Sequence, residues 1–234
     1  MVANIAVVKR WRFLGICAIA GALAVPLHAV GTPVSAATAG LVGMLGLLAW
    51  HWSSLPQPVE NTDRTWFMRS VRPVVWLATG TAVGLLLLGV IRLFIEPVLP
   101  SIGARIAAAG ALPVWRRALI IYVAAVSEEL LFRLLLFSAV AGMTARLFRL
   151  PGSRPTPPVA WFANLVSAFT FALIHLPSWT GVVHLGTGLA ASVLVLNMAG
   201  GVVFGHVFAT RGIVAAMWTH AGADCAIQLL GPLT

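Results

Sequence analysis

Long apolar runs separated by short polar segments fill almost the whole chain. They cover about residues 13–30, 33–52, 74–96, 113–143, 159–176, 182–209 and 213–230. A helix needs roughly 20 mainly apolar residues to cross the hydrocarbon core of a bilayer, and most of these runs have about that length. The pattern therefore predicts an all-α, polytopic helical membrane protein with about six to eight transmembrane helices.

Prolines and charged residues set the limits of the runs. Residues 53–72 are expected to form a polar loop, and Pro97 and Pro100 are expected to end the third span. Residues 101–112 then suit a short interfacial helix that carries Arg105. We accordingly divide the chain into 1–110, with about three N-terminal spans plus this interfacial segment, and 111–234, a core region. The glycine-rich run 182–209 is either one long helix or two short ones packed closely through small residues.

The positive charges are concentrated between the apolar runs. The composition is 60% hydrophobic and only 9% charged, with a formal net charge of +9. Basic clusters on short loops are typical of the cytoplasmic side of a membrane protein, and they also attract anionic lipids. This distribution favours membrane lipids over nucleic acid as partners. It predicts a cytoplasmic N-terminus with loops 53–72 and 144–158 on the same side, although Arg116 and Arg117 then fall on the other side.

The first apolar run and the two cysteines each allow a simple interpretation. The run 13–30 follows a basic start, so it fits either a cleaved signal peptide or an uncleaved signal anchor, and we favour the anchor. Cys17 and Cys225 lie in predicted spans at opposite ends of the chain. They are therefore expected to be small buried residues rather than a disulfide.

Three of the six acidic residues lie in the interior of predicted membrane spans: Glu128, Glu129 and Asp224. A carboxylate in hydrocarbon costs roughly 2.5–3.5 kcal/mol on insertion scales, so it must face the protein interior and have a partner. Intramembrane acids of this kind indicate a functional site.

The two adjacent glutamates can have different tasks. On a helix, Glu129 and Arg133 are four residues apart and share a face, which favours an ion pair. Glu128 is rotated by about 100 degrees from Glu129, so it can point into a water-filled pocket and act as a general base. The alternative is a purely structural charge pair that locks helices together, but this leaves Glu128 unexplained.

Two histidines extend this constellation. His175 lies near the end of the fifth predicted span, and His220 shares a helix face with Asp224 four residues later. Each histidine alone is more typical of a packing residue, but together with the glutamates they could hold a water molecule. The remaining histidines are expected at span ends (His28, His51 and His184), except for His206, whose role stays open.

These residues resemble the motifs of a known family. Glu128-Glu129-Leu-Leu-Phe-Arg133 resembles the EExxxR motif of the CAAX-protease and bacteriocin-processing (CPBP or ABI) family. Phe171-Ala-Leu-Ile-His175 is similar to its FxxxH motif, and His220-Ala-Gly-Ala-Asp224 to its closing HxxxN or HxxxD motif. The stretch 200–212 also resembles the glycine-rich span before that last motif. The resemblance covers roughly residues 115–230.

The resemblance implies an intramembrane glutamate endopeptidase with a conical catalytic cavity between its helices. Glu128 and His175 would activate the attacking water, and His220 with Asp224 would stabilise the oxyanion. Glu129 and Arg133 would support the site. No metal or other cofactor is required, although two histidines and a carboxylate could bind zinc. Asp224 departs from the asparagine of the prenyl-protein proteases, so it is either protonated or orients its neighbours.

Other functions remain open at this stage. Intramembrane Glu, His and Arg also mark transporters and proton relays, and a non-proteolytic interaction protein of the bacteriocin-immunity type is a further alternative. The alanine-, glycine- and arginine-rich composition fits a GC-rich bacterial genome, where CAAX prenylation is not expected. We therefore predict an inner-membrane hydrolase that cuts a membrane-associated or lipidated peptide. Neither the substrate nor the oligomeric state can be read from the sequence.

Overall fold

The computed structural model describes residues 44–46, 48–53, 66–151, 155–177 and 186–234, with the side chains of 66–71 left out. All regular elements in these ranges are helices, which confirms the all-α prediction. The first predicted span, most of the second, Cys17, His28 and His184 lie outside the described residues. Residues 48–53, at the end of the second predicted span, are helical.

The next two described helices follow the helical residues 48–53 in the chain. Helix α1 runs over Trp66–Val90 and continues as a π-helical segment, Ile91–Ile95. Helix α2 covers Pro100–Ala109, and Pro100 stands at its first turn, where a missing backbone N–H costs nothing. The predicted break between these two helices and the predicted short helix are therefore confirmed.

Helix α3 carries both glutamates and is unusually long. It runs through Val114–Glu129, a π-helical segment Leu130–Phe137 and a last part Ser138–Leu147. At 1.5 Å per residue it is about 50 Å long, which exceeds the roughly 30 Å thickness of a hydrocarbon core. The π-helical segment begins directly after Glu129, and such segments are frequent at functional sites.

Three further helices complete the core region. Helix α4 covers Pro157–His175 and α5 covers Thr187–Arg211. Helix α6 runs over Ile213–Cys225, continues as a π-helical segment Ala226–Leu230, and ends in one 3-10 turn, Gly231–Leu233. From Thr187 onward, the glycine-rich run is thus a single helix. Gly212 between α5 and α6 has a φ of 91°, a left-handed conformation that suits glycine.

Four helices are long and apolar enough to cross a membrane: Arg72–Ile95, Pro157–His175, Thr187–Arg211 and Ile213–Leu233. Helix α3 is also long enough to span a membrane, but it carries more charged residues than these four helices do. Large apolar side chains such as Leu86, Leu93, Phe94 and Val195 are more than 60% exposed, as expected where lipid covers them. The chain is an integral membrane protein, and the count of six to eight spans stays a prediction.

Glycines let α6 approach α1 closely. A Cβ atom added at Gly80 or Gly84 of α1 would collide with the backbone of Thr219 or Ala223 in α6. A Cβ atom at Gly222 of α6 would collide in turn with the carbonyl of Leu77. Small residues at helix contacts in membranes allow the backbones to pack directly against each other. The contact sets the position of the segment of α6 that carries His220 and Asp224.

Helices α4 and α5 meet through the same type of contact. A Cβ atom at Gly205 would collide with the side-chain oxygen of Asn164, and one at Gly201 would lie 3.1 Å from Ala168. The Nδ2 atom of Asn164 donates a hydrogen bond to the carbonyl of Val202 at 3.0 Å. The small residues of α5 therefore pack against a neighbouring helix, and not between two short helices of the glycine-rich run.

We expect Gly84→Ala to destabilise the protein and Gly89→Ala to leave its stability nearly unchanged. Both glycines lie in α1, but a Cβ atom at Gly84 would lie 2.8 Å from the Cα of Ala223, whereas one at Gly89 meets nothing within 4 Å. Overpacking costs typically 1–3 kcal/mol. Thermal unfolding of the two variants in detergent measures the difference, and equal melting temperatures would contradict the close contact between α1 and α6.

Candidate functional site

A cavity of about 460 Å³ lies between the helices of the core region. Glu128 of α3, His175 of α4, and His220 and Asp224 of α6 all line it. These four residues were the candidate catalytic residues of the sequence, and they come from three separate helices. The structure therefore brings them together around one space, in which a water molecule and a peptide bond could meet.

The two adjacent glutamates face different surroundings, as the helical geometry predicts. The side chain of Glu128 is 25% exposed and lines the cavity, whereas that of Glu129 is fully buried. Neighbouring residues on a helix differ by about 100 degrees in direction, which accounts for the separation. Glu128 is therefore the carboxylate that substrate and water can reach.

Arg133 is fully buried and joins three helices. Its Nε atom lies 3.4 Å from the Oε2 atom of Glu129, which confirms the predicted pair. Its two terminal nitrogens donate hydrogen bonds to the Oγ atom of Ser167 at 3.4 Å and to the carbonyl of Gly201 at 3.1 Å. The guanidinium also lies 5.1 Å from the ring centre of Phe171. The cation thus holds α3 against α4 and α5 directly behind the cavity.

His220 stands between three carboxylates. Its Nδ1 atom donates a hydrogen bond to the Oε1 atom of Glu129 at 2.9 Å. Its Nε2 atom is 3.8 Å from an oxygen of Glu128 and 3.8 Å from an oxygen of Asp224. A carboxylate that accepts from one ring nitrogen fixes the orientation of the imidazole, so the other nitrogen is directed at the cavity.

Two phenylalanines hold the histidine rings. Phe204 stacks on His220 with 4.5 Å between ring centres and an angle of 15°. Phe171 contacts His220 edge-on at 5.8 Å and His175 at 4.6 Å. The Nδ1 atom of His175 donates to the carbonyl of Phe171 at 2.7 Å, which leaves Nε2 as the nitrogen with a lone pair. Both imidazoles are therefore fixed before any substrate binds.

The described part of the chain contains two further histidines, His206 and His51, and it can also be searched for the metal site that the sequence left open. His206 is exposed on α5 and stacks on Trp161 at 5.5 Å, outside the cavity lining. His51 is exposed, as expected at a span end. Among the described residues, no group of three or more His, Cys, Asp or Glu side chains is arranged to hold a metal ion.

Sequence reasoning missed several contacts of the site. It paired Glu129 with Arg133 alone and did not predict the hydrogen bond from His220. Ser167, Phe204 and the carbonyl of Gly201 carried no recognisable signal, because a serine, a phenylalanine or a glycine in an apolar helix is common. The small residues of the glycine-rich run were the one indication in the sequence that this helix packs closely against a neighbouring helix.

Comparison with known proteins identifies the family. Residues 110–226, half of the chain, match the family described as Rce1-like, type II CAAX prenyl endopeptidase. No curated protein and no solved structure matches the chain. The matched segment contains Glu128, His175, His220 and Asp224, and it begins near the predicted domain boundary. The chain belongs to the Rce1-like CAAX prenyl endopeptidase family, which is the CPBP family of intramembrane proteases.

Proposed function

We propose that this protein is an intramembrane endopeptidase that hydrolyses a peptide bond of a membrane-associated or lipidated peptide without a metal ion. One observation carries the proposal: Glu128, His175, His220 and Asp224 line a single cavity within an apolar helical bundle. Family membership supports the reaction class, and the arrangement of the side chains supports the assignment of roles.

Glu128 acts as the general base in this mechanism. A water molecule bound between Glu128 and the Nε2 atom of His175 loses a proton to the carboxylate as its oxygen attacks the peptide carbonyl carbon. A positioned general base contributes typically 10²–10⁴-fold to the rate. The tetrahedral intermediate then breaks its C–N bond, and the carboxyl group returns the proton to the departing amine. One water molecule is consumed, and Glu128 is regenerated.

His220 and Asp224 stabilise the charge that develops on the carbonyl oxygen. With Nδ1–H donated to Glu129, a doubly protonated His220 has its Nε2–H available for the oxyanion. Asp224 contributes a second donor in its protonated form. Preorganised donors at this position are among the largest contributions to acyl-transfer catalysis.

Glu129 and Arg133 are positioning residues. Neither lines the cavity, and both are fully buried. Arg133 balances the charge of Glu129, and Glu129 orients the ring of His220. The two adjacent glutamates therefore have different roles: Glu129 orients His220, and Glu128 accepts the proton of the water molecule.

We expect Glu128→Gln to lower kcat/KM by at least about a hundredfold while the protein still inserts and folds. The partly buried pair Arg92–Glu96 provides the control, because Glu96→Gln removes a carboxylate outside the cavity. Hydrolysis of S-farnesylated CAAX peptides by the purified variants in detergent measures the effect. Wild-type turnover by Glu128→Gln would contradict the assignment of the general base.

We further propose an orientation in a bacterial inner membrane, with loop 144–158 and the N-terminus cytoplasmic. Arg146, Arg149 and Arg211 lie at this end of the bundle, and His175 is the last residue of α4, which runs to the other end. The cavity then extends toward the extracytoplasmic side. A reporter that is active only in the cytoplasm should be active when it is inserted at residues 152–154. If that reporter is inactive there and a reporter that is active only in the periplasm is active, the proposed orientation is wrong.

Asp224→Asn is expected to keep or raise activity and to extend it to higher pH. Asparagine retains an N–H donor for the oxyanion and cannot ionise. A pH profile of kcat/KM for both proteins tests this. If Asp224 instead works as a carboxylate that orients His220, the variant loses activity at every pH, by about 10²–10³-fold on the scale of a lost oxyanion-hole donor.

A further inference from the structure

Helix α5 places one polar side chain in the wall of the cavity that the proposed mechanism does not use. The helix contributes Val193, Leu196, Asn197, Gly200 and Phe204 to the lining. Along the described length of α5, Asn197 is the polar residue of this set. Arg105 of α2 also lines the cavity, but it is engaged by contacts within the fold. A polar side chain in the middle of a membrane-spanning helix is costly, and such residues mark functional positions.

Asn197 has hydrogen-bonding capacity left for a ligand. Its Nδ2 atom donates one N–H to the carbonyl of Val193, four residues earlier, at 2.8 Å. This bond fixes the amide against its own helix. An asparagine has a second N–H donor and an oxygen that accepts hydrogen bonds. Within the described residues, that second N–H and the Oδ1 atom have no protein partner, so they can serve whatever enters the cavity.

The amide lies close to His175 in depth. Helices α4 and α5 are antiparallel, and Gly201 packs on Ala168. From this contact, Asn197 is one turn further along α5 and His175 is two turns further along α4 in the same direction. The two residues therefore differ by about one turn, or about 5.4 Å, in depth. A peptide that reaches the imidazole of His175 consequently passes the amide of Asn197.

The wall between Asn197 and the second histidine leaves room for a peptide. Asn197, Gly200 and Phe204 follow one face of α5, and Phe204 stacks on His220 with 4.5 Å between ring centres. Gly200 contributes no side chain to this face. An extended chain can therefore lie against α5 from the amide of Asn197 to the ring of His220.

The backbone of an extended peptide complements the open side of Asn197. The N–H and the carbonyl of one residue in a strand point to the same side, where a second strand normally supplies one acceptor and one donor. The Oδ1 atom and the second N–H of Asn197 supply the same two groups. In a transmembrane helix the backbone groups are bonded within the helix, so only an extended segment presents them. A neutral amide also avoids the cost of a further buried charge.

From these contacts we propose that Asn197 binds the backbone of the substrate through a pair of hydrogen bonds, at a residue near the bond that is cleaved. The Oδ1 atom accepts the N–H of that residue, and Nδ2 donates to its carbonyl. Asn197 is thus a substrate-binding residue that holds an extended segment in register with Glu128. The inference rests on the proposed peptidase function, because the register matters only if the water at Glu128 attacks this segment.

Peptides with an altered backbone test the proposal. The probes are an S-farnesylated CAAX peptide and analogues of the same sequence, each with one backbone N–H replaced by an ester oxygen, apart from the N–H of the cleaved bond. For the wild-type protein we expect at least one replacement to lower kcat/KM about threefold to tenfold, the scale of one neutral hydrogen bond. Asn197→Leu should lower the value for the unmodified peptide by at least as much and should be insensitive to that replacement. Asn197→Gln keeps the amide and should retain part of the sensitivity.

Ser192→Ala is the control variant. Ser192 lies in the same helix, and its Oγ atom donates to the carbonyl of Gly188, four residues earlier, at 2.9 Å, as Asn197 does to Val193. Ser192 does not line the cavity, so this variant should distinguish the peptides as the wild type does. If Asn197→Leu is less active on every peptide but keeps the wild-type sensitivity to the ester, Asn197 only stabilises α5, and the proposal is overturned. A wild-type protein that is insensitive to every replacement overturns it as well.

Binding to the Glu128→Gln protein separates this inference from the proposed function, because affinity does not require catalysis. A preference for the unmodified peptide over the ester that disappears with Asn197→Leu, in a protein whose wild type hydrolyses none of the probes, would support the binding role of Asn197 and contradict the peptidase. Hydrolysis whose sensitivity to the esters does not depend on Asn197 would support the peptidase and contradict the inference. Neither binding nor hydrolysis of any probe would contradict both.

Discussion

The buried pair of Glu129 and Arg133 is the interaction on which the site depends. Both side chains are fully buried within a bundle that faces lipid, where an unpaired charge is most costly. Removing one partner from a buried pair typically costs about 3–5 kcal/mol, because the other charge is left uncompensated. The arginine is shared further with Ser167 and the carbonyl of Gly201, so it joins three helices. The pair therefore sets both the packing behind the cavity and the orientation of His220.

Glycine contacts make this arrangement possible. Arg133 reaches the carbonyl of Gly201 because α5 lies close to α4, and a side chain at Gly205 would separate the two helices. Direct backbone contact between α1 and α6 holds His220 and Asp224 at a fixed depth in the same way. In a membrane the hydrophobic effect does not drive helices together, so close packing and buried polar contacts must do so. The same features that stabilise the bundle thus also set the positions of the candidate catalytic side chains.

Much of the fold and part of the candidate site can be predicted from local patterns in the sequence. The helices of the core region and the separation of Glu128 from Glu129 depend on run length and on the 100-degree step of a helix, both of which are visible in the sequence. The hydrogen bond from His220 to Glu129 joins residues 91 positions apart, and no local pattern specifies it. The inward direction of Arg105 was equally hidden, since an arginine in a short alanine-rich helix indicates an interface. Such contacts depend on how the helices pack, which periodicity does not determine.

The adjacency of the two glutamates has a physical consequence for the proposed mechanism. A general base needs a carboxylate that water can reach, but in an apolar bundle such a group lacks a stabilising environment. The next residue along the helix supplies one: Glu129 binds Arg133 on one side and His220 on the other, and His220 directs its second nitrogen at Glu128. Arg133 lies five residues from Glu128 along α3 and does not line the cavity that Glu128 faces. Arg133 therefore stabilises the site without competing with water for Glu128.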